Sequence, residues 1–214
     1  MSSQKTIIFA GAHIDDYDWL GQQTEKGDQM ICADSGLRHA HAIGIMPDII
    51  IGDFDSVDPD LLDHYRDKAE IIHDDDQNTT DLMKAIVSAP KDQSIDIYGA
   101  MGERADHDFS NYLILMAMEH PDHIALKSKT ETRRVVKSSA KITGHVGDYI
   151  GLFPLAPLSD FRTEGLKYPP DVLGGPYDFG WNGACNEMIA TEALILFNQG
   201  TLLITHTMAT ALFE

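Results

Sequence analysis

Cysteine is scarce in this chain: among 214 residues there are only Cys32 and Cys185. Their positions match neither a metal-ligand nor a redox spacing, so each reads as a small buried side chain and a disulfide framework is not expected. Long apolar runs are also missing. No stretch approaches the roughly 18 consecutive apolar residues that mark a membrane-spanning helix. Residues Met1 to Phe9 lack the basic segment and apolar core of a secretory signal, so a soluble, cytoplasmic protein is expected. Basic residues are few: 16 Lys and Arg face 34 Asp and Glu, for a formal net charge of -18. That balance argues against a nucleic-acid backbone or an anionic membrane as partner. A small phosphorylated ligand remains compatible with it. If the ligand is a polyphosphate, carboxylates and phosphates repel unless a cation lies between them, so Mg²⁺ is then a physical requirement. The third glycine of the dinucleotide fingerprint is absent from Gly99-Ala100-Met101-Gly102, so a nicotinamide or flavin cofactor is not supported.

What is present is organised around Ile49-Ile50-Ile51-Gly52-Asp53-Phe54-Asp55-Ser56. An apolar run that stops at a glycine and delivers two aspartates places carboxylates at the carboxyl edge of a sheet, where open α/β folds bind ligands. Asp53 and Asp55, at i and i+2 of extended chain, point to one side and suit a hard divalent cation. Other short apolar runs read as strands: Thr6 to Ala12, Gln29 to Ala33, Ala69 to His73 and Ser94 to Tyr98. His13, Asp15, Asp16 and Asp18 read as a polar loop. Asp34 or Ser35 is expected to cap a helix over Leu37 to Ile43, or its free N-H groups to meet an anion. Another helix is expected from Thr79 or Thr80, with Asp81 in its first turn, and a further one from Phe109 through Met118. Asp76 and Asp81 straddle a helix start and are candidates to join Asp53 and Asp55 around metal. Arg104 either grips phosphate or pairs with Glu103 or Asp106. His107 is an acid, a base or an orienting group.

After Pro121 the pattern changes to strands separated by turns: Ile124 to Lys127, Thr132 to Lys137, Tyr149 to Phe153, and a hairpin from about Ala193 to Thr205 turning at Asn198-Gln199-Gly200. The expected fold class is therefore α/β, with a doubly wound, mostly parallel sheet over residues 1–122 and an all-β domain over 123–214. Between Gly165 and Asn186, Tyr168, Tyr177, Phe179 and Trp181 are interleaved with glycine and proline. Such a stretch forms an irregular loop or a wall for a flat aromatic ligand.

Four segments together resemble the thiamine pyrophosphokinase family: Ala33-Asp34-Ser35-Gly36; Pro47-Asp48 through Gly52-Asp53-Phe54-Asp55-Ser56; Asp76 with Thr80-Asp81 and Lys84; and Gly99-Ala100-Met101-Gly102 with Arg104, Asp106-His107 and Asn111. Gly165-Leu166-Lys167 and Asn186 extend the resemblance more weakly into the second half. The resemblance implies an α/β nucleotide-binding domain joined to a β-sandwich, and a homodimer holding thiamine between subunits. It also implies transfer of a pyrophosphoryl group from ATP to the thiamine hydroxyl, with release of AMP. Asp53, Asp55, Asp76 and Asp81 become the Mg²⁺ and phosphate-positioning carboxylates, acting in catalysis with Arg104 and Asp106. Asp34, Ser35, Thr80, Lys84, Arg104, His107 and Asn111 become nucleotide contacts. Tyr168, Trp181, Cys185 and Asn186 become thiamine contacts.

The chain departs from the family at several positions. It has Ser35 where a second glycine is usual, Tyr168 where tryptophan is usual, Cys185 where serine is usual, and Glu103 where a small residue is common. These departures bear on the thiamine pocket more than on the phosphate chemistry. A metal-dependent phosphoesterase using the same aspartates to activate water, and a non-catalytic thiamine or nucleotide sensor on the same fold, are the alternatives.

Overall fold

The computed structural model describes residues 4–25, 28–102 and 104–209. Glu103, with its expected pairing, and the first three residues lie outside them. Among the described residues the chain separates into two compact units, Met1–Ile114 with Leu126–Lys129, and Leu115–Ala125 with Thr130–Glu214.

In the first unit, short apolar strands alternate with helices: β1 (Thr6–Phe9), α1 (Tyr17–Gln22), β2 (Gln29–Ala33), α2 (Leu37–Ala42), β3 (Ile49–Gly52), α3 (Pro59–Tyr65), β4 (Glu70–His73), α4 (Asp81–Ser88), β5 (Ile95–Tyr98) and α5 (Ala105–Ala117). The strand order is β5-β1-β2-β3-β4, with every pairing parallel. The chain runs outward from the central β1 to β4, then returns through α4 to β5 on the other side of β1. Such a reversal opens a crevice at the carboxyl ends of the strands. Backbone pairing continues past the strand ends there, from Ala10 N to Tyr98 O at 2.8 Å and from Ala12 N to Gly99 O at 2.7 Å. Gly99 permits that approach, since a Cβ on it would lie 2.4 Å from the Ala10 carbonyl oxygen. Ile7, Phe9, Cys32, Leu37, Ile50 and Tyr98 belong to the core of this unit.

Local chemistry moves several boundaries away from the sequence expectation. The segment expected as a polar loop from His13 to Asp18 is partly helical, because Asp16 caps α1 by accepting the Trp19 N-H at 2.8 Å. Neither Asp34 nor Ser35 caps α2: a 3₁₀ turn, Asp34–Gly36, runs into that helix without a side-chain cap, and Asp34 itself is left-handed at φ 48°. Thr80 does cap α4, its hydroxyl accepting the Met83 N-H at 3.2 Å. The last of these helices, α5, starts about one turn earlier than Phe109. Asp106 and Asp108 in its first turn complement the dipole, and the Asp108 carboxylate accepts the Gly102 N-H at 3.0 Å.

The chain continues through β6 (Ile124–Lys127) and β7 (Glu131–Val136), then β8 (Ala140–Thr143), β9 (Tyr149–Ser159), β10 (Arg162–Glu164), α6 (Pro170–Leu173), β11 (Asn186–Glu187), β12 (Glu192–Leu196) and β13 (Gln199–Thr207). Strands β11-β9-β13-β7 are neighbours in one sheet and β10-β12-β8 form another, with antiparallel pairing in both. The core between them takes Val136, Ile150 and Leu202 from the first and Ile142, Ala193 and Ile195 from the second. The expected hairpin from Ala193 to Thr205 therefore does not form. Its two arms, β12 and β13, pair in different sheets, because each buries its apolar face against the other sheet rather than beside its sequence neighbour.

His39 joins α2 to the loop after β1. It is fully buried, with Nε2 2.9 Å from the Ala12 carbonyl oxygen and Nδ1 2.9 Å from the Tyr17 hydroxyl. A carbonyl only accepts, so Nε2 carries the proton and Nδ1 accepts from Tyr17. Burial outweighs the Ala12 hydrogen bond and holds the ring down to a pKa of about 4. The unfolded chain then binds the extra proton between about pH 6.5 and 4, so His39 contributes stability above that window that is lost as pH falls through it. Urea titrations are expected to show a loss on the order of 3 kcal/mol from this group across the window. His39→Gln, which keeps a donor for Ala12, is expected to flatten that slope.

Candidate functional site

The carboxyl ends of β2 and β3 and the first turn of α4 carry the most unusual chemistry in the first unit. Each apolar strand ends at an aspartate, Asp34 after β2 and Asp53 after β3, and α4 packs against both strands, bringing Asp81 to them. Carboxylate oxygens of Asp34, Asp53 and Asp81 lie within 4.8 Å of one another. Asp34 is only 8% exposed, and its Oδ1 is buried without a hydrogen-bond partner. Burial raises the Asp34 pKa, and the charges of Asp81 and Asp53 push it further, against hydrogen bonds from Ser35. The side chain is seated by Gly52, where an added Cβ would lie 3.1 Å from the Asp34 Cβ.

Asp53 is held ionised. It accepts from the Gln77 amide at 3.0 Å and the Asp55 N-H at 3.2 Å, and these bonds lower its pKa. Asp81 accepts from the Lys84 ammonium at 3.2 Å. A buried carboxylate with one unsatisfied oxygen, clustered with two further carboxylates, is a donor set for a hard divalent cation, and oxygen-only ligation fits Mg²⁺. The sequence points to Asp34 as a helix cap or a nucleotide contact, and its place in this group was missed. The available signal was that Met30 to Ala33 ends at Asp34 as Ile49 to Ile51 ends near Asp53.

The remaining candidates in this unit lie outside that group. Asp55 is exposed and accepts from the Ser56 hydroxyl at 2.7 Å. Asp76 folds its own loop, accepting from the Asn78 N-H at 3.0 Å, the Asn78 amide at 2.7 Å and the Thr79 hydroxyl at 3.0 Å, which lower its pKa. Neither belongs to the three-carboxylate group. Ser35 places its hydroxyl against Gly11. Arg104 and Asp106 form an exposed, two-pronged ion pair at 2.6 and 3.2 Å, and His107 is exposed on the same turn. Buried Asn111 donates to the Ala100 carbonyl at 2.8 Å and so fixes the Gly99–Gly102 turn.

In the second unit, the buried Asn186 amide is consumed by backbone. It accepts from Tyr168 N at 3.0 Å and Glu187 N at 2.9 Å, and donates to Tyr168 O at 2.7 Å. Trp181 donates to the Gly174 carbonyl at 2.8 Å and meets Phe161 and Tyr177 edge-on, packed against the core of that unit. Tyr168 is 44% exposed. Cys185, expected to be buried, is instead exposed in a left-handed conformation at φ 59° just before β11, whereas Cys32 is buried as expected.

Most of the chain superposes on solved structures of the same architecture. A thiamine pyrophosphokinase from Bacillus subtilis matches with a TM-score of 0.80 at 23% identity, covering 96% of this chain and 99% of that one. A thiamin pyrophosphokinase from yeast matches with a TM-score of 0.74 at 17% identity, covering 97% and 87%. These likenesses establish the fold class, an α/β unit with a parallel sheet and a C-terminal antiparallel β unit. Residues 20–126, half of the chain, match the family model of the thiamin pyrophosphokinase catalytic domain, and the chain belongs to that family.

Among curated relatives, thiamine pyrophosphokinase 2 of Oryza sativa is 32% identical over 180 residues, 75% of this chain and 65% of that protein. Thiamine pyrophosphokinase 1 of the same species is 30% identical over 151 residues, 61% and 55%. The chain thus spans little more than half the length of the latter.

The crowding of like charges gives a direct test. Asp34→Asn removes one of them, and asparagine tolerates the left-handed backbone there. In metal-free buffer the variant is expected to melt about 2 to 4 °C higher than the parent, the scale of 1 kcal/mol at this chain length. Addition of Mg²⁺ is expected to raise the parent's melting temperature more than the variant's, as measured by differential scanning fluorimetry.

Proposed function

We propose that this chain is a thiamine pyrophosphokinase that moves the terminal pyrophosphoryl group of ATP onto the hydroxyl of thiamine, giving thiamine diphosphate and AMP. The observation that carries this reading is the buried, unpartnered Asp34 oxygen beside Asp53 and Asp81. These three carboxylates hold Mg²⁺, with Asp55 and Asp76 on adjoining loops as further candidates. Held by these carboxylates, Mg²⁺ would supply charge neutralisation at the polyphosphate oxygens.

Arg104 exchanges its exposed partner Asp106 for a phosphate oxygen, and the Gly99–Gly102 turn, pinned by Asn111, lines the nucleotide's path. The thiamine oxygen bonds to the β-phosphorus in line with the departing AMP oxygen, which takes the electron pair of the broken bond. A loose transition state retains the alcohol proton until late, when Asp81 or Asp106 accepts it, so positioning and electrostatics carry most of the catalysis. Residues 1–122 take ATP and the ion. Residues 123–214 take thiamine, near Tyr168, Trp181, Cys185 and Asn186, and the contacts of a cytoplasmic homodimer with active sites at the subunit interface. Thiamine's permanent positive charge suits an acidic protein and an aromatic wall.

The test is an incubation with ATP, Mg²⁺ and thiamine, in which AMP is expected only when all three are present. Asp53→Asn is expected to lower turnover by roughly 10² while preserving the circular dichroism spectrum. Phosphate release without thiamine points to a hydrolase, and near-normal AMP formation by the variant removes Asp53 from the machinery.

A further inference from the structure

Lys84 is expected from the sequence as a nucleotide contact, yet its ammonium is engaged by protein oxygens. The side chain is only 5% exposed. Its Nζ donates to the Asp74 carbonyl oxygen at 2.7 Å and to Asp81 Oδ1 at 3.2 Å, and lies 3.8 Å from Asp74 Oδ1. Of the three ammonium donors, two are taken by these hydrogen bonds, and the Asp74 carboxylate adds an ion-pair contact beyond hydrogen-bond reach.

The two residues it joins are the ends of one loop. Asp74 is the first residue after β4, and Asp81 is the first of α4, one helical turn before Lys84 and therefore on its face. Between them, the turns around Asp76 fold the loop so that Gln77 reaches Asp53 while Asp81 meets Asp34 and Asp53. A cation at the base of that loop sets the position of two of the three clustered carboxylates at once: Asp81 by direct contact and Asp53 through Gln77.

We infer that Lys84 is a positioning residue that closes the Asp74–Asp81 loop and presents Asp81 and Asp53 to the divalent cation, rather than a contact to the nucleotide. The inference rests on the proposed metal-dependent reading. Outer groups that orient ligating side chains affect metal affinity on a scale of roughly 10- to 100-fold.

The experiment is a Mn²⁺ titration without nucleotide, followed by electron paramagnetic resonance, on the parent chain and on Lys84→Met, which keeps the apolar stem. The Mn²⁺ dissociation constant is expected to rise about 10-fold or more in the variant. With Mg²⁺ raised to saturation, kcat is expected to fall while the KM for ATP changes little. An unaltered Mn²⁺ affinity in the folded variant, with a raised KM for ATP, overturns the inference and makes Lys84 a nucleotide contact. A parent chain that binds no Mn²⁺ overturns instead the metal-dependent reading itself. Circular dichroism reports the fold. If Lys84→Met does not fold, Lys84→Gln, which retains a donor toward the Asp74 carbonyl, carries the same expectation with a smaller change.

Discussion

Three carboxylates crowded within 4.8 Å repel one another, and the surrounding first unit is built in ways that hold them there. Gly52 gives up a side chain so that Asp34 can lie against it, and Asp34 takes a left-handed backbone to reach that place. Gln77 and the Asp55 amide stabilise the charge on Asp53, and Lys84 does the same for Asp81. Burial of Asp34, with one oxygen left unpartnered, is the term that this scaffolding does not offset. A divalent cation held there, as proposed, would offset it and would let an acidic chain address a polyphosphate.

The same arrangement separates the clustered carboxylates from the residues that support them. Asp76, Thr80 and Asn111 carry the residue types of direct substrate contacts, yet each is engaged in local architecture: a loop turn, a helix cap and a pinned glycine turn. Asn186 is the clearest example in the second unit, since its amide is taken up by the backbone on both sides of the loop it closes. Trp181 likewise meets Phe161 and Tyr177 edge-on and anchors the loop through Gly174. Side-chain chemistry alone does not distinguish a group that touches a ligand from one that shapes the loop beside it. Partners and burial make the distinction.

Much of the first unit was legible from residue order. Runs such as Gln29 to Ala33 and Ile49 to Gly52 are strands because they are short and apolar, the second with three consecutive isoleucines, with a glycine or aspartate at the exit. The caps were less legible. Asp16 sits in an acidic stretch that resembles a solvated loop, and only the Trp19 N-H above it makes it a helix start. In the second unit, the turn at Asn198-Gln199-Gly200 has the composition of a hairpin, but pairing depends on which sheet each arm covers.

The sequence by itself determined the alternation of strands and helices, the change to strands alone after Pro121, and the delivery of Asp34, Asp53 and Asp55 at strand exits. These follow from local periodicity and from residues that stop a strand, and need no long-range information. The tertiary structure decided which carboxylates meet. Asp34, Asp53 and Asp81 are far apart in the chain, and they converge because α4 recrosses β2 and β3 on its way from β4 to β5. That crossing is set by the burial of apolar faces on the parallel sheet, a property of the whole unit rather than of any one motif.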